Sequence, residues 1–204
     1  WKEDGFFDTI TYSFVRIVGG FLIGLILGSL LAGLSGKFKI VETFLSPLVI
    51  TVKTVPVASF VVLALMWLSA DKLSIFISFL MVLPIIYTNV LDGIKNTDEK
   101  MQETATIFRL TDKKRLKYIT LPQIKPFLIS ACRISLGLAW KSGIAAEVIG
   151  IPENSIGDRL YNAKIYFDNT DLLAWTVIIV LISVLFEKLF MLLLKTAFSG
   201  LERA

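Results

Sequence analysis

Histidine is absent from the 204 residues, and cysteine occurs once, as Cys132. Together these absences remove Cys/His zinc sites, disulfide frameworks and Cys–His nucleophilic catalysis. Cys132 stands alone in an apolar run and reads as a small packing residue. No GxxxxGK[ST] loop is present, so the chain lacks that device for cradling phosphates. There is no Ser/His arrangement and no membrane-depth pair of carboxylates suited to acid–base chemistry, which argues against an enzyme. No signal peptide is visible either, because WKEDGFFDTI is acidic and aromatic rather than basic and then apolar. The chain starts at Trp1 instead of Met, so an N-terminal piece is expected to be missing. Low-complexity segments and internal repeats are not found.

Apolar residues are plentiful. They make up 55% of the sequence, and the mean hydropathy is +0.73, above the mixed composition of soluble domains. They come in runs of about 20, the length that crosses a bilayer, and not as one soluble core. Five spans can be drawn, at 14–34, 48–68, 73–91, 123–151 and 172–198. All are expected to be helices, because a backbone in lipid must satisfy its own hydrogen bonds and these segments are too long for barrel strands. The fold class is therefore all-α and polytopic, with 1–204 as a single membrane domain.

Net charge is +4, but the basic residues cluster, so membrane topology explains them better than nucleic-acid binding does. Lys37 and Lys39 oppose Glu42 in the 35–47 loop. Lys95, Lys100, Arg109, Lys113, Lys114, Arg115 and Lys117 fall in 92–122. By the positive-inside rule both segments face the cytoplasm. The opposite side is acidic, with Glu3, Asp4 and Asp8 near the start and Glu153, Asp158, Asp168 and Asp171 in 152–171. Five spans then put residue 1 outside and Ala204 inside.

Gly20, Gly24, Gly28 and Ala32 place a small residue every four along the first span, baring a face for another backbone. That face suits either a subunit contact or packing within the chain. Pro56 removes a donor near the start of the second span, predicting a kink or a broken start, and Pro84 is expected to bend the third. Lys53 is placed to snorkel to the cytoplasmic interface, and Trp175 reads as an interface anchor.

The long polar stretch ETATIFRLTDKKRLKYITLP, Glu103–Pro122, interrupts this pattern. Thr97 is expected to cap a helix with Asp98 and Glu99 in its first turn. Met101, Ala105 and Phe108 then form one apolar stripe. Thr111 caps a second, basic helix, and Pro122 sits in the first turn of the fourth span. Such a cassette either docks on a cytoplasmic partner or lies on anionic lipid.

The cassette resembles the EAA loop of ABC-importer permeases, whose pattern is Glu-Ala-Ala, three residues, Gly, nine residues, Ile, one residue, Leu-Pro. Glu103, Thr104 and Ala105 fill the first places, and Ile119, Leu121 and Pro122 close it. Thr104 replaces an alanine. Arg109 replaces the glycine, where a left-handed turn is expected to cost a non-glycine ~1 kcal/mol. LSPLVITVKTVPVASFVVLALMW and ISLGLAWKSGIAAEVIG are similar to the nitrate/sulfonate/taurine branch.

The resemblance implies a type I ABC-importer permease fold, usually with six helices, in a bacterial inner membrane. It implies a homodimer with two cytoplasmic ATPase subunits, which hold the ATP and Mg, and an extracytoplasmic substrate-binding protein. The chain itself would carry no cofactor or metal and no catalytic residue. Residues 95–122 would be the coupling segment, with Glu103, Thr104, Ala105, Phe108, Arg109, Lys113, Ile119, Leu121 and Pro122 meeting the ATPase.

The fourth span carries Arg133, Lys141 and Glu147, which cost about 2.5–3.5 kcal/mol each near a bilayer centre unless they face protein or water. At about 100° per residue, Arg133 and Lys141 lie about 80° apart, and Glu147 lies about 120° from Lys141. Lys141 with Trp140 can line a translocation path for an anionic or polar solute, or charges here can hold helices in register. Glu147 is expected to anchor helices near the outer gate, and Arg133 to snorkel inward. In the outer loop a short helix is expected after Ser155. An ion-gradient-driven secondary transporter is the alternative function, disfavoured by the lack of repeat symmetry and by the basic cassette.

Overall fold

The computed structural model describes residues 5–203, apart from the side chains of Glu99, Gln102, Asp112, Lys113 and residues 200–203. Glu3 and Asp4 therefore lie outside the described residues, as does the Lys113 side chain. Every regular element among the described residues is a helix. They run α1 (Phe6–Lys37), α2 (Lys39–Thr54), α3 (Val57–Ala64), α4 (Ala70–Lys95), α5 (Glu99–Ile107), α6 (Asp112–Arg115), α7 (Leu121–Gly150), α8 (Ile156–Ile165) and α9 (Asn169–Arg203).

The central helix is α4, packed along its length against α1 on one side and α7 on the other. The glycine stripe makes the first of these contacts possible. A Cβ added at Gly24 would sit 2.8 Å from Val82, and one at Gly28 would sit 3.0 Å from Ile86. The bare face of α1 is thus spent inside the chain, and the subunit-contact reading of the stripe is not needed. Gly143 does the same for α7, where an added Cβ would meet Ile17 and Ser78 at 2.6 Å.

Apolar side chains on the outward surface, such as Leu22, Ile26 and Leu30 of α1 and Leu181, Leu185 and Leu189 of α9, stay exposed. That area is far larger than a water-soluble monomer leaves bare, and lipid solvates it. Three described helices are long and apolar enough to cross a membrane (Phe6–Lys37, Ala70–Lys95 and Asn169–Ser199), or four if α2 and α3 count as one bent span. α7, at 30 residues, is about 45 Å long at 1.5 Å per residue. Lys125, Arg133, Lys141 and Glu147 interrupt its apolar character.

The expected second span is not straight. α2 and α3 meet at 102°, because Val55 is extended and Pro56 has no amide to continue α2. Lys53 is exposed, and its Nζ donates to the Thr88 hydroxyl of α4 at 3.0 Å. The expected 35–47 loop is a sharp junction at Phe38 between two helices. α4 continues as one helix through Pro84. Trp175 is no interface anchor, being buried with its ring 5.4 Å from that of Phe6.

The chain has two chemically distinct ends. At one, Lys95 pairs with Glu42, and Lys125 lies 5.8 Å from the Phe198 ring, which gathers the basic segments and the end of α9. At the other, the starts of α1, α4 and α9 meet the end of α7 and α8. There Tyr12 donates to Asp71 at 2.7 Å, and Arg16 Nε donates to the Asp71 carbonyl at 2.6 Å. This grouping is the one-sided distribution of charge that the positive-inside rule requires.

Candidate functional site

At the basic end, α5 is capped by Asp98, whose carboxylate accepts from the Lys100 amide at 2.9 Å, and not by Thr97. The Thr97 hydroxyl instead donates back to the Ile94 carbonyl at 2.6 Å. Asp98 takes the capping position because α4 runs on to Lys95 and claims Thr97 for its own last turn. α5 ends at Ile107, and just beyond its cap Arg109 has φ 50°. Leu110 N–H reaches the Ala105 carbonyl at 2.9 Å, and Arg109 N–H reaches Thr106 at 3.1 Å. This is a Schellman-type stop, which asks for a left-handed residue. Arginine occupies the glycine position of the EAA pattern and adopts the glycine conformation.

The expected stripe of Met101, Ala105 and Phe108 is not buried as a unit. Ala105 is buried, whereas Met101 is exposed, and Ile107 and Phe108 are 78% and 73% exposed. Glu103 and Thr104 are exposed on the same short helix, and the Thr104 hydroxyl is spent on the Lys100 carbonyl.

After α6 the chain makes one wide turn of π-helix, Leu116–Thr120. It runs straight into α7, so no break separates the basic helix from the span. Pro122 and Pro126 lack amide donors at the start of α7, which leaves the preceding carbonyls short of partners and favours the wider turn. Ile119 and Leu121 are partly buried at this junction, and Pro122 is exposed.

At the opposite end, Glu147 of α7 is fully buried. Its Oε2 accepts from the Ser13 hydroxyl of α1 at 2.7 Å and, at 3.4 Å, from the Gly157 amide of α8. Ser13 Oγ in turn accepts from the Ile156 amide at 2.9 Å. Glu147 therefore ties α7 to α1 through Ser13 and to α8 through the Gly157 amide, at a helix start where a carboxylate complements the dipole. α8 begins where expected, with Ser155 accepting from the Asp158 amide at 3.0 Å. Gly157 permits this approach, since an added Cβ would overlap the Glu147 backbone.

Arg133 and Lys141 lie away from that core and are exposed. Trp140 is buried, its ring 5.9 Å from Phe14. Trp140 and Lys141 line a cleft of about 320 Å³ between α7 and α9, with Ser183 and Glu187 on the opposite wall. The four polar residues singled out in the fourth span therefore divide. Glu147 is a buried tie, Trp140 and Lys141 share a cleft, and Arg133 joins neither.

Sequence reasoning missed Glu187, a single carboxylate in a long apolar run. It also missed Ser13, Tyr12, Arg16 and Asp71, whose partners lie far along the chain. An acidic residue inside a span was the available signal for Glu187.

The model of the family described as "Binding-protein-dependent transport system inner membrane component" matches residues 10–199. The chain belongs to this family. It is thus a multi-pass inner-membrane component of a transport system.

Three relatives of this transport component are similar over most of its length. An aliphatic sulfonates transport permease of Bacillus subtilis, SsuC, is 27% identical over 92% of this chain and 68% of its own length. The nitrate import permease NrtB of Synechococcus elongatus is 28% identical over 76% of this chain and 55% of its own. The bicarbonate transport permease CmpB of the same species is 26% identical over 79% of this chain and 58% of its own. The chain thus spans between 55% and 68% of these relatives. A crystal structure of an amino acid ABC transporter superposes with TM-score 0.60 at 19% identity, covering 98% of this chain and 91% of that one. This likeness bears on the fold alone.

Proposed function

We propose that the chain is the membrane-spanning subunit of an ATP-driven importer for a small anionic or polar solute. One observation carries this reading. A cassette capped at both ends presents Ile107 and Phe108 to solvent at the basic end of the molecule, and nothing among the described residues covers them. A rigid helix with bare apolar tips is shaped to seat in a groove of another protein.

In this reading residues 95–122 are the coupling segment of a single domain spanning 1–204. Glu103, Phe108 and Arg109 contact a cytoplasmic ATPase that holds ATP and Mg. Thr104, Ala105, Ile119, Leu121 and Pro122 shape the segment and join it to α7, and Lys113 adds positive charge. The chain itself catalyses nothing. Closure of two ATPase subunits pulls two coupling helices together across a homodimer and turns the spans from inward-open to outward-open. A binding protein delivers the solute to the acidic end.

Lys141, with Trp140 beside it, lines the path, Arg133 adds positive charge nearer the cytoplasm, and Glu147 holds the outer end together. Relatives named for sulfonates, nitrate and bicarbonate, all anions, fit a path with exposed cations.

Co-purification tests the assembly. The wild-type chain is expected to retain a stoichiometric ATPase, and Phe108→Asp is expected to lose it while remaining monodisperse. Retention of the ATPase by Phe108→Asp, or its absence from the wild type, would contradict the docking role.

A further inference from the structure

A groove of about 730 Å³ opens at the basic end of the molecule, between α1, α4 and the start of α7. α1 contributes Ser29, Gly33 and Lys37, whose spacing puts them on one helix face. Val90 and Ile94 of α4 form a second wall, and Ile124 and Leu128 of α7 a third. α1 and α4 run toward the basic end, whereas α7 starts there. Ser29, Val90 and Leu128 therefore lie deep, and Ser29 is about 12 Å below Lys37 at 1.5 Å per residue. Lys37 and Arg115 stand at the mouth, the latter just before the turn that leads into α7.

The groove is left open by the protein's own packing. At Gly36 the first helix closes on α4, since an added Cβ would sit 2.7 Å from Ile94. At Gly33, one turn deeper, nothing lies within 4 Å of that position. The facing wall includes Leu116 and Thr120 of the π-turn, and Leu116 is exposed. Such wide turns are rare and frequently mark functional sites. No carboxylate stands among the described lining residues, and the described ion pair at this end joins Lys95 to Glu42 without involving Lys37.

We propose that this groove is a binding site for an anionic glycerophospholipid of the inner leaflet. The phosphodiester sits at the mouth against Lys37 and Arg115, and an acyl chain runs inward over Gly33 toward Ile124 and Leu128. The order of groups along the groove is the order along a lipid at that depth. Charge lies where the headgroups are, and aliphatic wall lies where the chains begin. Basic pockets between spans on the cytoplasmic side take such headgroups. The volume falls in the range of small-molecule sites, about 300–1,000 Å³. A soluble anion would use the two cations but gain nothing from the aliphatic floor. A helix packed on Ser29 and Gly33 would use the small residues but leave the cations unexplained.

The proposal rests on the chain being an inner-membrane component and not on the importer reading, so its test needs no nucleotide. The purified full chain, delipidated in detergent, is titrated with three probes and followed by native mass spectrometry. The probes are phosphatidylglycerol, phosphatidylcholine with the same chains, and glycerol 3-phosphate. The wild type is expected to hold phosphatidylglycerol at least tenfold more tightly than phosphatidylcholine, and to show no binding of glycerol 3-phosphate at the same concentrations. Lys37→Gln is expected to weaken phosphatidylglycerol about fivefold, the worth of one basic residue near a membrane surface, and to leave phosphatidylcholine unchanged. Gly33→Leu, which fills the open wall, is expected to weaken both lipids.

Equal retention of the two lipids by the wild type, or retention of neither, would overturn the proposal. Glycerol 3-phosphate bound as tightly as phosphatidylglycerol would overturn it in favour of a soluble anion. Unchanged phosphatidylglycerol binding by both variants would put the lipid elsewhere on the molecule. Efficient disulfide cross-linking of two copies through Gly33→Cys in membranes would show that a second copy fills the groove instead. The wild-type comparison decides the matter even if a variant fails to fold.

Discussion

Ser13 and Glu147, 134 residues apart in sequence, share a hydrogen bond of 2.7 Å inside the protein. The same serine oxygen accepts the first amide of α8, so one hydroxyl joins α1, α7 and the outer helix. Removing it orphans the buried Ile156 amide and leaves Glu147 Oε2 with only the longer bond from the Gly157 amide. Ser13→Ala is expected to cost about 1–3 kcal/mol, read as a lower midpoint of thermal unfolding in detergent. An unchanged midpoint would mean that the tie does not hold the outer end.

The contact between α1 and α4 makes a contrasting prediction about two glycines. Gly24→Leu drives a side chain into Val82, whose Cβ already lies 2.8 Å from the position of an added Cβ. Gly33 has nothing within 4 Å of that position. Gly24→Leu is expected to abolish a monodisperse peak on size exclusion, while Gly33→Ala behaves as wild type. Equal behaviour of the two would contradict the intrachain packing of the stripe.

Arg109 sits at φ 50°, a conformation that costs a non-glycine residue about 1–2 kcal/mol. Arg109→Gly is therefore expected to stabilise the cassette by a similar amount, unless the arginine side chain meets the partner. Slower amide exchange across 99–110 measures the gain in the isolated chain, and faster exchange would contradict the turn. A simultaneous loss of ATPase affinity would assign the guanidinium to the interface.

Pro56 is the hinge of the 102° bend between α2 and α3. Irregular backbone at membrane depth is tolerated where it meets protein or water rather than lipid. Pro56→Ala restores a donor for the Val52 carbonyl and lets α2 continue. It is expected to reduce uptake severalfold, with spin-label distances between α2 and α3 lengthening as the pair straightens. Normal uptake by a straightened pair would show that the bend is incidental.

The sequence made much of this architecture legible, and the physical reasons are specific. Long apolar runs mark spans because lipid leaves the backbone no other choice. The cassette stood out because Glu103–Pro122 is polar between such runs. The special turn at Arg109 followed from the resemblance, which puts a glycine at that position, and the helix after Ser155 was readable from local pattern because its cap lies within one turn. The break at Pro56 was anticipated, but its angle was not, because a run such as 57–66, apolar but for Ser59, carries no record of its direction in space.

Other features depended on partners distant in sequence. The contact of Lys53 with Thr88 was not readable, because nothing near Lys53 in sequence announces a partner 35 residues on. Trp175 was misplaced for the same reason, its partner Phe6 lying at the other end of the chain. Glu187 went unnoticed because its place on a cleft wall appears only when α9 is laid beside α7. In the cassette, competition between neighbouring helices decided the cap, and α4 took Thr97.

Uptake into proteoliposomes carrying the purified assembly tests the central claim most directly. Solute accumulation is measured with ATP inside and no ion gradient, then with an imposed ion gradient and no nucleotide. Mechanical coupling through the cassette predicts accumulation in the first condition, none in the second, and loss of the first with Phe108→Asp. Accumulation driven by the ion gradient alone, without an ATPase subunit present, would contradict it.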